Sequence, residues 1–156
     1  MSDPSSSPGE EDGGFTLSIT ARPEDIDELG HVNNAVWVRW IQDMATAHWQ
    51  AIAPQDAIDR YVWVVTRHEI DYRGNIEAGD TVTGHTWISE PPQGARFWRN
   101  VRFTGSDGKT RVAARTSWAI IDRESQRPVR VPASLAALFL GGQGAGIAVD
   151  GASGEG

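Results

Sequence analysis

Cysteine is absent from this chain of 156 residues. That excludes disulfide staples, thiolate nucleophiles and cysteine-held metals, and it fits a reducing compartment. No stretch approaches the roughly 18 consecutive apolar residues that a membrane-spanning helix requires. Basic charge is scarce: 14 Lys and Arg stand against 21 Asp and Glu, a net charge of -7. No dense Lys/Arg cluster breaks this balance, so a nucleic-acid partner is not expected. The N-terminus is acidic, with no basic n-region and no apolar h-region, so no signal peptide is legible and the cytoplasm is the expected location. No H-x-x-x-H or H-x-E spacing occurs, so neither a metal nor another cofactor is expected. "GGQGAG" (Gly141 to Gly146) is no phosphate loop: no strand precedes it, no helix follows, and Gly-Lys-Ser/Thr is missing.

The ends differ from the middle. Met1 to Gly14 is Ser, Pro, Gly and acidic residues, and Gly141 to Gly156 contains seven glycines. Both read as disordered tails, at 1–14 and 141–156, around one folded domain at 15–140. Phe15, Leu17, Ile19 and Ala21 alternate with Thr16, Ser18 and Thr20, the period of a half-wet strand that Arg22-Pro23 ends. A polar loop follows. A helix is then expected from about Asn34 to Ile52, with Asn33 or Asn34 as N-cap. Trp37, Trp40, Ile41, Met44, Ala45, His48 and Ile52 hold helical spacing, and Ala35, Val36, Val38, Ala47 and Trp49 widen the apolar face. Such a helix needs cover on most sides and should lie against a sheet. Pro54 to Arg60 reads as a linker. Val64 to Tyr72, Thr81 to Ser89, Ala95 to Thr104 and Thr110 to Asp122 read as strands, with "GSDGK" (Gly105 to Lys109) as a hairpin turn. Ala133 to Leu140 suits a short closing helix. The order implies an α+β domain: an antiparallel sheet with one long helix against it.

The densest chemistry is "DIDELGHVNNAVWVRW", Asp25 to Trp40. It sets Asp25, Asp27, Gly30, His31, Asn33 and Asn34 directly before the apolar helix. A helix N-terminus presents amides without intrahelical partners and the positive end of the macrodipole, which suits a developing oxyanion. The amides around Asn34 and Ala35 are the candidates, and Gly30 permits the tight turn that brings Asp27 near them.

This run, Asp25, Asp27, Gly30, His31, Val32, Asn33, Asn34 and Ala35, resembles the hotdog-fold thioesterases, nearest to their 4-hydroxybenzoyl-CoA thioesterase-like branch. "EIDYRGNIEAGDTV" (Glu69 to Val82) and "RPVRVP" (Arg127 to Pro132) are weaker echoes of the same pattern. The resemblance implies a hotdog fold, in which a sheet wraps one central helix. It implies at least a dimer, a homodimer or homotetramer, with the acyl pocket between subunits. It implies acyl-CoA thioesterase activity, with acyl-ACP as the alternative carrier and a non-catalytic acyl-thioester-binding protein as the reading of another class. Asp27 aligns with the family's acid, as nucleophile or general base. The related plant acyl-ACP thioesterases carry a similar "D-x-N-x-H-V-N-N" run. Asp27 and His31 match it, but Leu29 stands where the Asn would be. His31 therefore orients water, protonates the leaving thiolate, or only supports the loop. Asn34 completes the expected catalytic group, and Asn33, Ala35, Trp37 and His68 are the expected substrate-binding residues.

Plainer roles compete for several of these. Asp25 is expected to hold the loop through backbone amides, and Asn33 and Asn34 are caps first. His48, on the apolar helix, suits a satisfied core histidine. Most of the seven tryptophans should be core, with Trp37 and Trp63 as candidates for lining an acyl or aryl pocket. Arg96, Arg99 and Arg102 are candidates for CoA phosphates, though strand arginines are ordinarily solvated.

Overall fold

A computed structural model describes residues 14–141; both expected tails lie outside them, apart from Gly14 and Gly141. Strand β1 (Gly14–Thr20) is followed by a single 3-10 turn (Pro23–Asp25), the polar loop and helix α1 (Asn34–Ile52). The helix has the expected bounds. It ends where Ala53 turns extended ahead of Pro54, as a residue before proline must. Pro54 to Arg60 is not the linker the sequence suggested. Pro54 caps a short helix, α2 (Gln55–Arg60), that buries Ala57. Proline at a helix start sacrifices no hydrogen bond, so it reads from sequence as a breaker while acting as a beginning.

The remaining strands are β2 (Tyr61–Tyr72), β3 (Thr81–Trp87), β4 (Arg96–Thr104), β5 (Thr110–Asp122) and the two-residue β6 (Arg127–Pro128), and helix α3 (Ala133–Gly141) closes the domain. All pairings are antiparallel in the order β1-β3-β4-β5-β2, with β6 on the end of β5. The β4–β5 hairpin turns through Gly108 at φ +83°, as its Asp-Gly tip requires. A bulge between Val65 and Arg67 shifts the β2–β5 register. β1 and β2 are the sheet's edges.

The helix lies across the inner face of the sheet. Trp37, Ile41 and Met44 are fully buried, with Val82, Val101, Phe103 and Val112 from three strands beneath them. Full burial of each such side chain is worth about 1.5–3 kcal/mol. Gly84 of β3 makes the close approach possible. A Cβ there would stand 2.6 Å from the Met44 sulfur and 2.9 Å from the Phe103 ring. A second cluster, under the C-terminal half of α1, joins Trp49, Phe97, Ile88 and Ile120 to Leu135 and Phe139 of α3. The outer face of α1 stays open, with Arg39, Gln42, Asp43, Thr46 and Gln50 exposed. Cover is thus narrower within one chain than the apolar spread suggested. Among the described residues no helix is long and apolar enough to cross a membrane.

Candidate active site

The loop between β1 and α1 is built around two aspartates with different tasks. Asp25 is buried at 3% exposure. Its carboxylate accepts from the Arg22 amide (2.9 Å) and the Arg39 guanidinium (3.1 Å), and its backbone carbonyl accepts from the Asn33 amide (3.0 Å). It holds both ends of the loop, as expected.

Asp27 lies on a narrow turn that opens where Ile26 bridges Val32. Its amide donates to the His31 carbonyl (2.9 Å), and the Gly30 amide returns to the Asp27 carbonyl (3.0 Å). Gly30 sits at φ +81°, a conformation costly for a residue with a Cβ. One carboxylate oxygen, Oδ1, accepts from the Leu29 amide (2.9 Å) and the His31 amide (3.3 Å). These bonds fix the side chain. Among the described residues nothing pairs with Oδ2. Asp27 lines an open groove with Ile26, Glu28, Leu29 and Asn33, at the start of α1.

Asn33 is the N-cap, and its side chain accepts from the Ala35 amide at 2.8 Å. Its carbonyl takes the Val36 and Trp37 amides (2.9 and 3.2 Å). The cap therefore occupies a donor that the sequence reading offered to substrate. The amide of Asn34 has no partner among the described residues, so of the two amides the sequence offered it is the one left free.

The other expected residues fall elsewhere. His31 is exposed, and it contributes backbone bonds to the turn rather than a side chain to the groove. Trp37 is fully buried against Trp40 and Phe103 and lines no described cavity. His68 lies on β2, where its Nδ1 meets the Thr116 hydroxyl at 3.0 Å and burial lowers its pKa. Within one chain the structure brings neither Trp37 nor His68 into the Asp27 groove. Among the described residues, no three His, Asp or Glu side chains cluster as metal ligands.

Two residues outside the motif matter. Asn75, between β2 and β3, accepts the Val32 amide (2.9 Å) and its own neighbour's, Ile76 (2.8 Å), through Oδ1, and donates Nδ2 to the Val32 carbonyl (3.3 Å). It pins the Asp27 turn to the rest of the domain. An isolated loop asparagine gives no signal of such a remote contact. The second is Arg99. The three β4 arginines do not act alike: Arg99 shares the inward face with Phe97, Val101 and Phe103 and is 2% exposed. It does not stand on the outer face with Arg96 and Arg102, where a bound phosphate would meet them. Strict alternation through "FWRNVRF" was the signal that separates it from Arg96 and Arg102.

A curled antiparallel sheet around one long helix, with an acidic turn at the helix mouth, is the hotdog architecture of thioester hydrolases. Residues 21–139 match the model of the thioesterase-like superfamily, and the chain belongs to that family. No curated protein matches the sequence. Among solved structures, a 1,4-dihydroxy-2-naphthoyl-CoA thioesterase from Synechocystis is similar at TM-score 0.70 and 15% identity, over 81% of this chain and 96% of that one. A predicted thioesterase from Bacillus stearothermophilus reaches TM-score 0.73 at 22% identity, over 83% and 96%. A Staphylococcus aureus protein solved in complex with CoA gives TM-score 0.73 at 17%, over 85% and 87%. At these identities the neighbours show the fold.

Proposed function

We propose that this thioester hydrolase acts on acyl-CoA, with Asp27 as nucleophile or general base and the Asn34 amide as a donor to the carbonyl oxygen. The observation that carries the reading is the Asp27 carboxylate itself, fixed through Oδ1 by two amides, with Oδ2 unpaired among the described residues, on a groove at the mouth of α1. A fixed carboxylate with one open oxygen has the makings of a base or nucleophile. Either it takes a proton from water as the water adds to the thioester carbon, or it adds there itself and water opens the mixed anhydride. In both routes the C–S bond breaks, CoA leaves as thiolate and takes up a proton, and the free acid remains. The amide donor stabilises the negative oxygen of the addition step. The CoA held by the S. aureus neighbour supports the choice of carrier.

The groove is open in one chain, so we infer that a second copy completes the pocket. Among the described residues edge strand β2 pairs only with β5, and Val64 and Tyr72 are each 42% exposed. Light scattering should give the mass of a dimer or tetramer; a monomer at assay concentration would remove this part of the proposal. The activity is tested by thiol release on a panel of acyl- and aroyl-CoAs, with matched acyl-ACPs beside them. Turnover of at least one CoA ester, faster than its ACP counterpart, is expected. Saturable binding without thiol release from any ester would contradict it.

A further inference from the structure

At the other end of α1 lies a half-open cleft that the acidic turn of the same chain does not reach. A cavity of about 250 Å³ is lined by Thr46, Trp49, Trp63, Phe97, Arg99 and Trp118, among others. Thr46 and Trp49 follow Asn34 by 12 and 15 residues on the same helix, which separates them along the axis by about 18–22 Å at 1.5 Å per residue. Within one chain it is a separate place from the acidic turn.

The charge of this lining is unbalanced: it includes Arg99 and Arg123 and no acidic residue. Arg99 bonds through one terminal nitrogen to His48 Nδ1 (2.9 Å) and the Thr86 hydroxyl (3.0 Å). Arginine is donor only, so His48 Nδ1 accepts, and the histidine is the neutral tautomer protonated on Nε2. The Thr86 hydroxyl in turn donates to the Asn100 carbonyl (2.8 Å). The guanidinium also lies over the rings of Phe97 (5.9 Å) and Phe139 (5.5 Å). No carboxylate pairs with it among the described residues. Its Nε is buried without an acceptor, and so are the indole nitrogens of Trp63 and Trp118, both in the cavity wall. Burial lowers the guanidinium's pKa to about 9, which leaves it charged at pH 7.

An uncompensated buried cation costs several kcal/mol, and each unmet buried donor adds to that. Neutral His48, two aromatic faces and a hydroxyl supply part of the compensation. The wall still holds a buried cation and no negative partner, in a largely aromatic cleft. We infer that this cavity is a binding site for a small apolar carboxylate, its ring or chain against Trp49, Trp63 and Phe97 and its anionic end on Arg99. The size is suitable: a dry cavity of about 150 Å³ already admits benzene, and the space here exceeds that. A charge-assisted bond to a buried guanidinium is roughly twice as strong as a neutral one, so the charge should govern selectivity. Such an acid arises either as a product of this chain's own hydrolysis or from elsewhere; the recognition chemistry is the same.

The test is titration of the full chain with benzoate, phenylacetate and octanoate, followed by tryptophan fluorescence and calorimetry, beside the neutral amides of the same three acids. At least one carboxylate should bind about tenfold or more tightly than its amide. Arg99→Met should abolish that preference. Because Arg99→Met removes a buried hydrogen-bonding group and endangers folding, Thr46→Phe is the second variant: Thr46 is exposed on α1 at the cavity wall, and a bulky ring there should weaken binding of the same acid in a folded protein. Repeating the titration on Asp27→Asn separates this claim from turnover, since binding should persist where thiol release is lost. Tightest binding by an acid that the wild type releases from its best ester identifies the source as product; tightest binding by an unrelated acid identifies a separate ligand. Both support the site. Equal affinity for acids and amides, undiminished binding to Thr46→Phe, or no binding at millimolar concentration, as for a cavity holding only water, overturns it.

Discussion

The carboxamide of Asn75 shows how far the acidic turn depends on residues remote in sequence. Val32 is 1% exposed, and its amide meets Asn75 Oδ1 at 2.9 Å and, less well, the Ile76 carbonyl at 3.3 Å. Asn75→Ala leaves that amide with its poorer partner and strips the Val32 carbonyl of its side-chain donor. We predict a loss of about 1–3 kcal/mol in urea unfolding, together with reduced thiol release, because the turn that carries Asp27 loses its anchor. Unchanged stability and unchanged turnover would show that the turn holds itself. Asn33 and Gly30 were legible in the sequence because each acts within a few residues of its own position, as a cap and a left-handed glycine; for Asp25 only the nearby bond to the Arg22 amide was of that kind, and Arg39, fourteen residues on, was not foreseen. Asn75 was not, since its partner depends on which strands come together. Ala35 was misread for a related reason. Motif spacing put its amide at the helix mouth, but only geometry revealed that the Asn33 side chain already takes it.

Helix α1 and the sheet meet more closely than their side chains alone would allow, and Gly84 is the reason. Gly84→Val would drive new atoms into Met44 and Phe103, both fully buried. Overpacking of this kind costs about 1–3 kcal/mol. Thermal or urea unfolding should register the loss, whereas Gly79→Ala, in a turn with open space around the added methyl, should cost only the strain of its positive φ. If Gly84→Val unfolds like the wild type, the helix does not rest on β3 as described. Elements of this kind were largely readable in advance. The 3.6-residue apolar spacing gave α1 its bounds, and period-two alternation gave the long strands within a few residues. Helix α2 escaped because a proline and a run of polar residues look like a connection until tertiary contacts bury Ala57.

Over the whole molecule, three histidines are held below their ordinary pKa. His48 is pushed down to about 2, by burial first and then by the charges of Arg99 and His85. Burial also lowers His68, and burial followed by Arg102 lowers His85. Between pH 6.5 and about 2 the unfolded chain binds a proton at His48 that the native chain does not, so stability must fall on acidification. His48 alone should remove about 2 kcal/mol between pH 6.5 and 5. His48→Gln keeps an acceptor for Arg99 and cannot titrate, so its stability should vary less over that window. An equal slope in wild type and variant would place the acid sensitivity elsewhere. The inward arginine that adds to this effect of burial was present in the alternation of β4, but an arginine in a strand is so ordinarily solvated that the pattern alone did not overrule the residue type.

The same whole-molecule view returns to the acidic turn, where a fixed carboxylate lines a groove at the start of α1 that a second copy is proposed to close. The most direct measurement is kcat for Asp27→Asn on the best acyl-CoA substrate of the wild type, with circular dichroism confirming an unaltered fold. The account predicts a fall of roughly 100-fold or more, the scale of a lost general base, with a much smaller change in KM. A folded Asp27→Asn protein that turns over near the wild-type rate would contradict it.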